Sequence, residues 1–425
     1  MTPGEKVRRL RDMLGQLAHD RGAKLEELVE AGPTLEVLQT GGMESIQPPT
    51  ALQKLARDEA LDSEEVDGLE AIILPLLRPV AFVQGNTYTV GGDWVHLNAA
   101  PIKQRLEPLL PSIGRIELPT NPLLPYGGTG FIVGRDLVMT NRHVAKIFSE
   151  GVGSRTLVFR HGDAAIDFDR EQPLESPDSL LLVRDVVMIH PYWDMALLRV
   201  DGLAPDRAPL TLSVKAPEDL DDNEIAVVGY PARDGRNDLG VQDTVFGKTY
   251  FVKRFQPGKI RKRASIVSFE TKVDAMVHDA STLGGNSGSA VIEIATGHVV
   301  GLHFAGVYLK ANYCVPMYEL ARDPRVVATG LNFAGGVAAS DQTDAAWRRV
   351  SEETTVSVSA AVPVSAPTAQ VAQLTIPLQI TISIGTPVVA QPQKSELPKA
   401  VNGSPPSFPI VIEVAGVSTR LADPE

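Results

Sequence analysis

The sequence predicts a mainly β protein with a small α-helical N-terminal domain and a low-complexity C-terminal tail. Three observations carry this. From Ile113 to about residue 330, short runs of Val, Ile and Leu alternate with turns of Gly, Pro, Asn and Asp. Long helical periodicities are scarce there, as in an all-β sandwich or barrel. Ahead of that region apolar residues recur at helical spacing. Behind it, after Trp347, Val, Ala, Pro, Ser and Thr dominate and Phe408 is the only aromatic residue. That leaves too little large apolar mass for an independent core.

Taken in order, residues 1–65 read as a helical adaptor or regulatory domain. Val7, Leu10, Leu14 and Leu17 share one helix face, and Leu25, Leu28 and Val29 open another. Gly32-Pro33, Gly41-Gly42 and Pro48-Pro49 punctuate it into a bundle of three or four helices. Nothing in it carries chemistry, so a protein partner is the simplest expectation. Residues 66–112 read as a connector with short strands at Phe82-Val83 and Tyr88-Thr89-Val90, with Trp94-Val95-His96-Leu97 packing on a neighbour. Residues 113–330 form the β domain, and 331–425 a linker and tail. Within the tail, Leu374, Ile376, Leu378, Ile380, Ile382 and Ile384 alternate strictly, and Pro377 marks an edge strand at 374–384. A second strand is expected at 408–414. Both need a partner to be stable.

Composition narrows the function. A formal charge of −12 over 425 residues argues against a general binder of nucleic acid or anionic membrane. The most apolar early stretch, Ala71 to Leu77, is too short to span a bilayer and contains Pro75. The N-terminus shows no secretory apolar region. The single cysteine, Cys314, excludes an intramolecular disulfide framework and points to a reducing cytoplasm. In its apolar strand context Cys314 reads as a buried small hydrophobe. No cofactor or metal is expected. His161 and His190 lack partner spacing and read as loop residues. Gly127-Gly128-Thr129-Gly130 is not followed by Lys-Ser/Thr, which argues against a phosphate loop. Lys253, Arg254, Lys259, Arg261, Lys262 and Arg263 read as a solvated face.

The chemistry is concentrated in three phrases. Gly284-Gly285-Asn286-Ser287-Gly288-Ser289-Ala290 presents one serine on a tight turn, whose glycines let two backbone N–H groups point at one spot. Acyl transfer needs that combination of a nucleophile and donors for the oxyanion. Serine is weak by itself, so a base and a group to orient it must come from elsewhere. His143, at the end of an apolar run in Thr140-Asn141-Arg142-His143-Val144, supplies the base. Asp194, opening Asp194-Met195-Ala196-Leu197-Leu198, supplies the acid.

These phrases, together with Gly128-Thr129-Gly130-Phe131-Ile132-Val133, resemble the trypsin-like serine peptidases in the order His, Asp, Ser. The bacterial branch that includes the glutamyl endopeptidases is similar in wording. The resemblance covers roughly residues 113–330. It implies two six-stranded β-barrels with the site between them, and a peptide or protein substrate. It also implies Ser287 as nucleophile, His143 as base, Asp194 as its orienting acid, and the N–H groups of Gly285 and Ser287 as oxyanion hole. It further implies a specificity pocket walled by His303, Phe304 and Gly306 with Thr282 at its base. No Asp lies there to pair with Lys or Arg, and a histidine with a hydroxyl suits a substrate carboxylate. A buried, backbone-bonded histidine in a neutral pocket is the alternative. The expected protein is a cytoplasmic bacterial serine endopeptidase controlled by its flanking regions, in a conflict or signalling system. A catalytically silent peptide-binding relative remains the rival.

Overall fold

The computed structural model describes residues 3–20, 48–62, 65–66, 78–171, 179–234, 239–307 and 311–359. The strands expected at 374–384 and 408–414 lie outside the described residues. Near the N-terminus, helices Pro3–Asp20 and Pro48–Ala56 form. Leu10, Leu14, Ala51 and Leu55 are buried, and Arg11 Nε donates to the Leu55 carbonyl at 2.9 Å.

The body begins with a hairpin of β1 (Ala81–Gln84) and β2 (Thr87–Tyr88). The strands that follow are β3 (Ile113–Glu117), β4 (Tyr126–Ile132) and β5 (Leu137–Thr140). A short hairpin of β6 (Ser149–Glu150) and β7 (Val158–Phe159) comes next, then β8 (Ala165–Asp167), β9 (Leu181–Ile189) and β10 (Ala196–Val200). Six of these close a barrel in the order β10-β5-β4-β3-β8-β9. Ile116, Ile132, Val138, Val183, Val186 and Leu198 fill its interior, one face of each alternating strand.

The second ring uses β11 (Glu224–Gly229), β12 (Arg254–Ser268) and β13 (Thr271–His278). It is completed by β14 (Ala290–Glu293), β15 (Val299–Val307) and β16 (Ala311–Pro316). Their order is β11-β14-β15-β16-β13-β12, and β12 pairs back onto β11, so six strands again close. Ile225, Val227, Ile260, Met276, Val291 and Cys314 pack inside. Burial pushes the Cys314 thiol well above its ordinary range, so it packs as a hydrophobe.

Three sequence expectations change. Residues 81–112 are not a connector: β1 pairs with β12 (Ala81 opposite Phe255), and Tyr88 stacks on Phe255 with ring centroids 3.9 Å apart. Trp94, Leu97, Leu106 and Leu110 join the largest core cluster. These apolar residues are too sparse to make a core locally but cover the flank of the second ring. The body also extends past residue 330. Asn332 N donates to the Val133 carbonyl at 2.9 Å, and Trp347, in helix Asp344–Ser359, is buried. Finally, Lys253 and Arg254 are almost fully buried rather than solvated. Lys253 Nζ donates to the carbonyls of Leu110 and Phe168 and to Glu171 Oε1 at 2.8–3.0 Å. The Arg254 guanidinium lies 3.4 Å from the Phe82 ring centroid and donates to the Thr249 carbonyl. Buried cations need such partners to offset lost hydration; those of Lys253 come from segments more than eighty residues away, whereas the carbonyl partner of Arg254 lies in the loop just before it.

Candidate active site

The pairing of β10 with β5 sets Ala196 opposite Thr140. The ends of those strands therefore bring together His143, on the short helix Arg142–Ala145, and Asp194, just before β10. Asp194 holds His143 at two points. Its Oδ2 lies 2.7 Å from His143 Nδ1, and its Oδ1 accepts the His143 backbone N–H at 3.0 Å. Asn141 Nδ2 fixes the Asp194 carbonyl at 2.9 Å. Asp194 is buried while the His143 side chain is 37% exposed. A carboxylate only accepts, so the neutral imidazole carries its proton on Nδ1 and keeps its lone pair on Nε2.

Ser287 lies in the turn between β13 and β14. Asn286 N–H donates to the Leu283 carbonyl, Ser289 N–H to Asn286, and Gly288 N–H to His303. The N–H groups of Gly285 and Ser287 find no acceptor among the described residues. Gly285 has φ +84°, and a Cβ there would sit 2.3 Å from the Tyr230 carbonyl, so only glycine fits. The first barrel braces the turn: Thr129 N–H donates to the Ser287 carbonyl at 2.7 Å and Thr129 Oγ1 to the Gly285 carbonyl at 2.9 Å. Among the described residues the Ser287 hydroxyl has no hydrogen-bond partner. It is therefore not bonded to His143, a contact that often closes only when substrate binds.

The expected pocket residues fall into two groups. Thr282, Gly306 and the unforeseen Asn312 come together. Thr282 Oγ1 donates to Asn312 Oδ1 at 2.7 Å, and Asn312 Nδ2 donates to the Ala280 carbonyl at 2.8 Å. A Cβ on Gly306 would sit 2.4 Å from Asn312 Oδ1 and 3.6 Å from Thr282 Oγ1, so the missing side chain keeps this wall open. His303 belongs to the other group. It is 3% exposed, and its Nδ1 lies 3.1 Å from Nε2 of the fully buried His278. Phe304 packs inward toward Tyr313 in the core.

Burial lowers the His278 pKa to about 4 and holds His303 well below its usual range, with nearby His278 and His143 adding to the latter. Both imidazoles are therefore neutral at pH 7, and one must donate to the other. His278 Nδ1 is buried without a partner. An orphaned acceptor is tolerated better than an orphaned donor, so the His278 proton belongs on Nε2, directed at His303 Nδ1. His303 then carries its own proton on Nε2.

Residues 128–302 match the family model described as the trypsin-like peptidase domain. The chain carries a trypsin-like peptidase domain. Its activity class is that of a serine peptidase, a hydrolase. It is similar to a probable serine protease of Lysobacter enzymogenes, with 26% identity over 371 residues, 73% of this chain and 95% of that one. A glutamyl endopeptidase of Staphylococcus epidermidis is 25% identical over 194 residues, 44% of this chain. The match spans 57% of that relative's own length. Among solved structures, the active form of the Rv3671c protease from M. tuberculosis aligns with a TM-score of 0.38 at 21% identity. That alignment covers 57% of this chain and 90% of the other.

Behind Asp194 lies a buried cluster with no signature in the sequence. His190 lies in the loop just past β9 and is fully buried. Its Nδ1 accepts the N–H groups of Tyr192 and Trp193 at 3.0 Å each, and its Nε2 lies 3.2 Å from Asp323 Oδ2. Asp323 also accepts from Thr343 Oγ1 at 2.5 Å, Trp347 Nε1 at 2.8 Å and Arg325 N at 2.9 Å. Residues beyond 320 thus clamp the loop that ends at Asp194. His278, Asn312 and Asp323 gave no local signal, because each sits in an ordinary apolar or turn context. By contrast, His96 is half-exposed and pairs with Glu224, as a surface histidine does. Among the described residues no group of three or more His, Cys, Asp or Glu could hold a metal ion, and no helix is long and apolar enough to cross a membrane.

Proposed function

We propose that this chain is a serine endopeptidase working through Ser287, His143 and Asp194 and an acyl-enzyme intermediate. Ser287 Oγ attacks the scissile carbonyl while His143 Nε2 takes its proton. Asp194 keeps the imidazole proton on Nδ1 and stabilises the imidazolium as it forms. The unengaged N–H groups of Gly285 and Ser287 take the oxyanion; losing one such donor costs on the order of 3 kcal/mol of transition-state stabilisation. His143 then protonates the leaving amine, and water repeats the sequence on the ester. The observation that carries this reading is the two-point grip of Asp194 on His143, which leaves Nε2 free to act as a base.

The substrate preference we propose is an acidic residue on the acyl side of the cut, glutamate above aspartate. The His303 Nε2–H offers a neutral donor, and Thr282 can turn its hydroxyl from Asn312 to a carboxylate. Two donors offset part of the cost of desolvating the charge. Because His303 is neutral well below pH 7, the preference rests on hydrogen bonding and stays flat from pH 6 to 8. The glutamyl endopeptidase resemblance supports the same substrate class. Control by the flanking regions, a protein partner for the N-terminal helices and a cytoplasmic location complete the proposal.

Peptide-library profiling of the wild type beside His303→Ala tests the preference. Glutamate is expected at the acyl position, with its cleavage falling far more in the variant than that of a small apolar residue. Selection of Leu, Ala or Arg, unchanged in His303→Ala, would refute the acidic preference without touching the catalytic residues.

A further inference from the structure

The segment 279–282, which runs into the Ser287 turn, is held from two directions. From within the second ring, Lys259 N–H donates to Asp279 Oδ1 at 2.8 Å and Arg261 Nε to Oδ2 at 2.9 Å. The other hold comes from Arg78, just ahead of β1. Its guanidinium grips Asp279 twice, Nε to Oδ1 at 2.7 Å and Nη2 to Oδ2 at 2.5 Å. Its carbonyl accepts from Ser281 Oγ at 2.8 Å. The same guanidinium lies over the ring of Trp94, 5.5 Å from the centroid, and Trp94 is buried.

A bidentate arginine–carboxylate pair fixes direction as well as distance. The ring beneath further restricts the arginine. Burial works against the Asp279 charge, yet Arg78, then Arg261 and the Lys259 N–H, outweigh it and hold the carboxyl below its ordinary range. The grip is therefore fully charged at neutral pH. From Asp279 the contacts continue along the chain to Ala280, whose carbonyl takes Asn312 Nδ2, and from Asn312 Oδ1 to the Thr282 hydroxyl. Arg78 and Thr282 are thus two ends of one connected set of polar contacts.

We propose that Arg78 is a positioning residue for the substrate pocket. It holds segment 279–282 in the shape that receives the side chain on the acyl side of the cut, and so ties substrate selection to the chain N-terminal to the peptidase domain. This rests on reading Thr282 as the pocket base. Arg78 touches neither the substrate nor the catalytic residues. A displacement of Arg78 alters which peptides bind while leaving the reactivity of Ser287 in place.

The test uses the full chain with Arg78→Met, Arg78→Lys and Ser281→Ala. Each is measured for thermal midpoint, labelling rate with a small fluorophosphonate, and kcat and KM on peptides differing only at the acyl-side residue. For Arg78→Met, labelling is expected to be unchanged. KM for the glutamyl peptide should rise between about tenfold and a hundredfold, the scale of a misplacement near 1 Å. The alanyl peptide, too short to reach the base, should change little. Arg78→Lys keeps the charge but not the two-point grip and should fall between; Ser281→Ala should move the same way by less. A glutamyl-to-alanyl ratio that stays at the wild-type value overturns the proposal, as does a uniform loss of labelling and of all peptides. If Arg78→Met does not fold, the other two variants decide by the same ratio. Should profiling select a residue other than glutamate, the ratio of that residue to alanine is read instead. A shift then upholds Arg78 while the glutamate reading falls.

Discussion

Two buried histidines stand behind this site, and the protein treats them differently. His190, on the side of Asp194, has both nitrogens engaged, and its partner Asp323 accepts from three further groups. His278, on the pocket side, has one nitrogen on His303 and one with no partner. A fully satisfied buried network holds one geometry rigidly, whereas a partly satisfied one has a cost that a ligand or a proton shift can change. Rigidity belongs where Asp194 must hold His143 at a fixed distance. Adjustability suits the side proposed to receive a substrate side chain. On the proposed function, the difference separates the side that would do the chemistry from the side that would select the substrate.

The largest effect should fall on the rigid side. Asp194→Asn keeps the shape but can turn a donor toward His143 and favour the wrong tautomer, so kcat should drop by about four orders of magnitude. Circular dichroism and urea melts should show the fold retained. A loss of less than tenfold in steady-state assays would mean that the Asp194–His143 contact is not the catalytic one.

Asp323→Ala comes next. It leaves His190, Thr343 and Trp347 with buried donors and no acceptor, and should cost on the order of 3–5 kcal/mol of stability in urea unfolding. Because His190 holds the loop that ends at Asp194, kcat should fall more than KM changes. Equal kinetics at reduced stability would confine the clamp to folding and weaken the comparison on its catalytic side.

The sequence made the proposed reacting groups legible and the contacts that support them illegible. A serine turn built of glycines, a histidine ending a strand and an aspartate opening one are local patterns with one chemical use. Gly285 was readable too, since no other residue fits its backbone. His190 and Asp323 are 133 residues apart, and nothing near either announces the other. Lys253 and Arg254 resemble a solvated face in sequence because what buries them is distant: the Leu110 and Phe168 carbonyls for Lys253 and the Phe82 ring for Arg254. Residues 81–112 looked like a connector for the same reason: Trp94, Leu97 and Leu110 complete a core whose other half lies well over a hundred residues away. The trailing helix Asp344–Ser359 resembles tail in sequence because only Trp347, of its residues, carries large apolar surface.

The smallest effect is on the adjustable side and appears with pH. His278 titrates near 4 when folded and near 6.5 otherwise. Between those values the unfolded chain takes up the proton that the folded one refuses, so stability is complete above about pH 6.5 and declines as pH falls toward 4. The stability lost as pH falls from about 6.5 to 4 is on the order of 3 kcal/mol. His278→Phe should therefore flatten the fall in thermal midpoint between pH 7 and pH 5, leave fluorophosphonate labelling intact, and weaken the glutamyl preference by removing the donor that sets the His303 tautomer. An unchanged acid limb would show that His278 is not the buried group responsible.

The central claim is that Ser287 is an activated nucleophile, and covalent labelling tests it most directly. The full chain at pH 7.5 is incubated with a fluorophosphonate, and the adduct is mapped by mass spectrometry after digestion. The wild type should take up one probe per molecule, on the peptide containing Ser287, with Ser287→Ala taking up none and His143→Ala reacting far more slowly. A folded wild-type protein that takes up no probe, or a Ser287→Ala variant labelled as fast as wild type, would contradict the account.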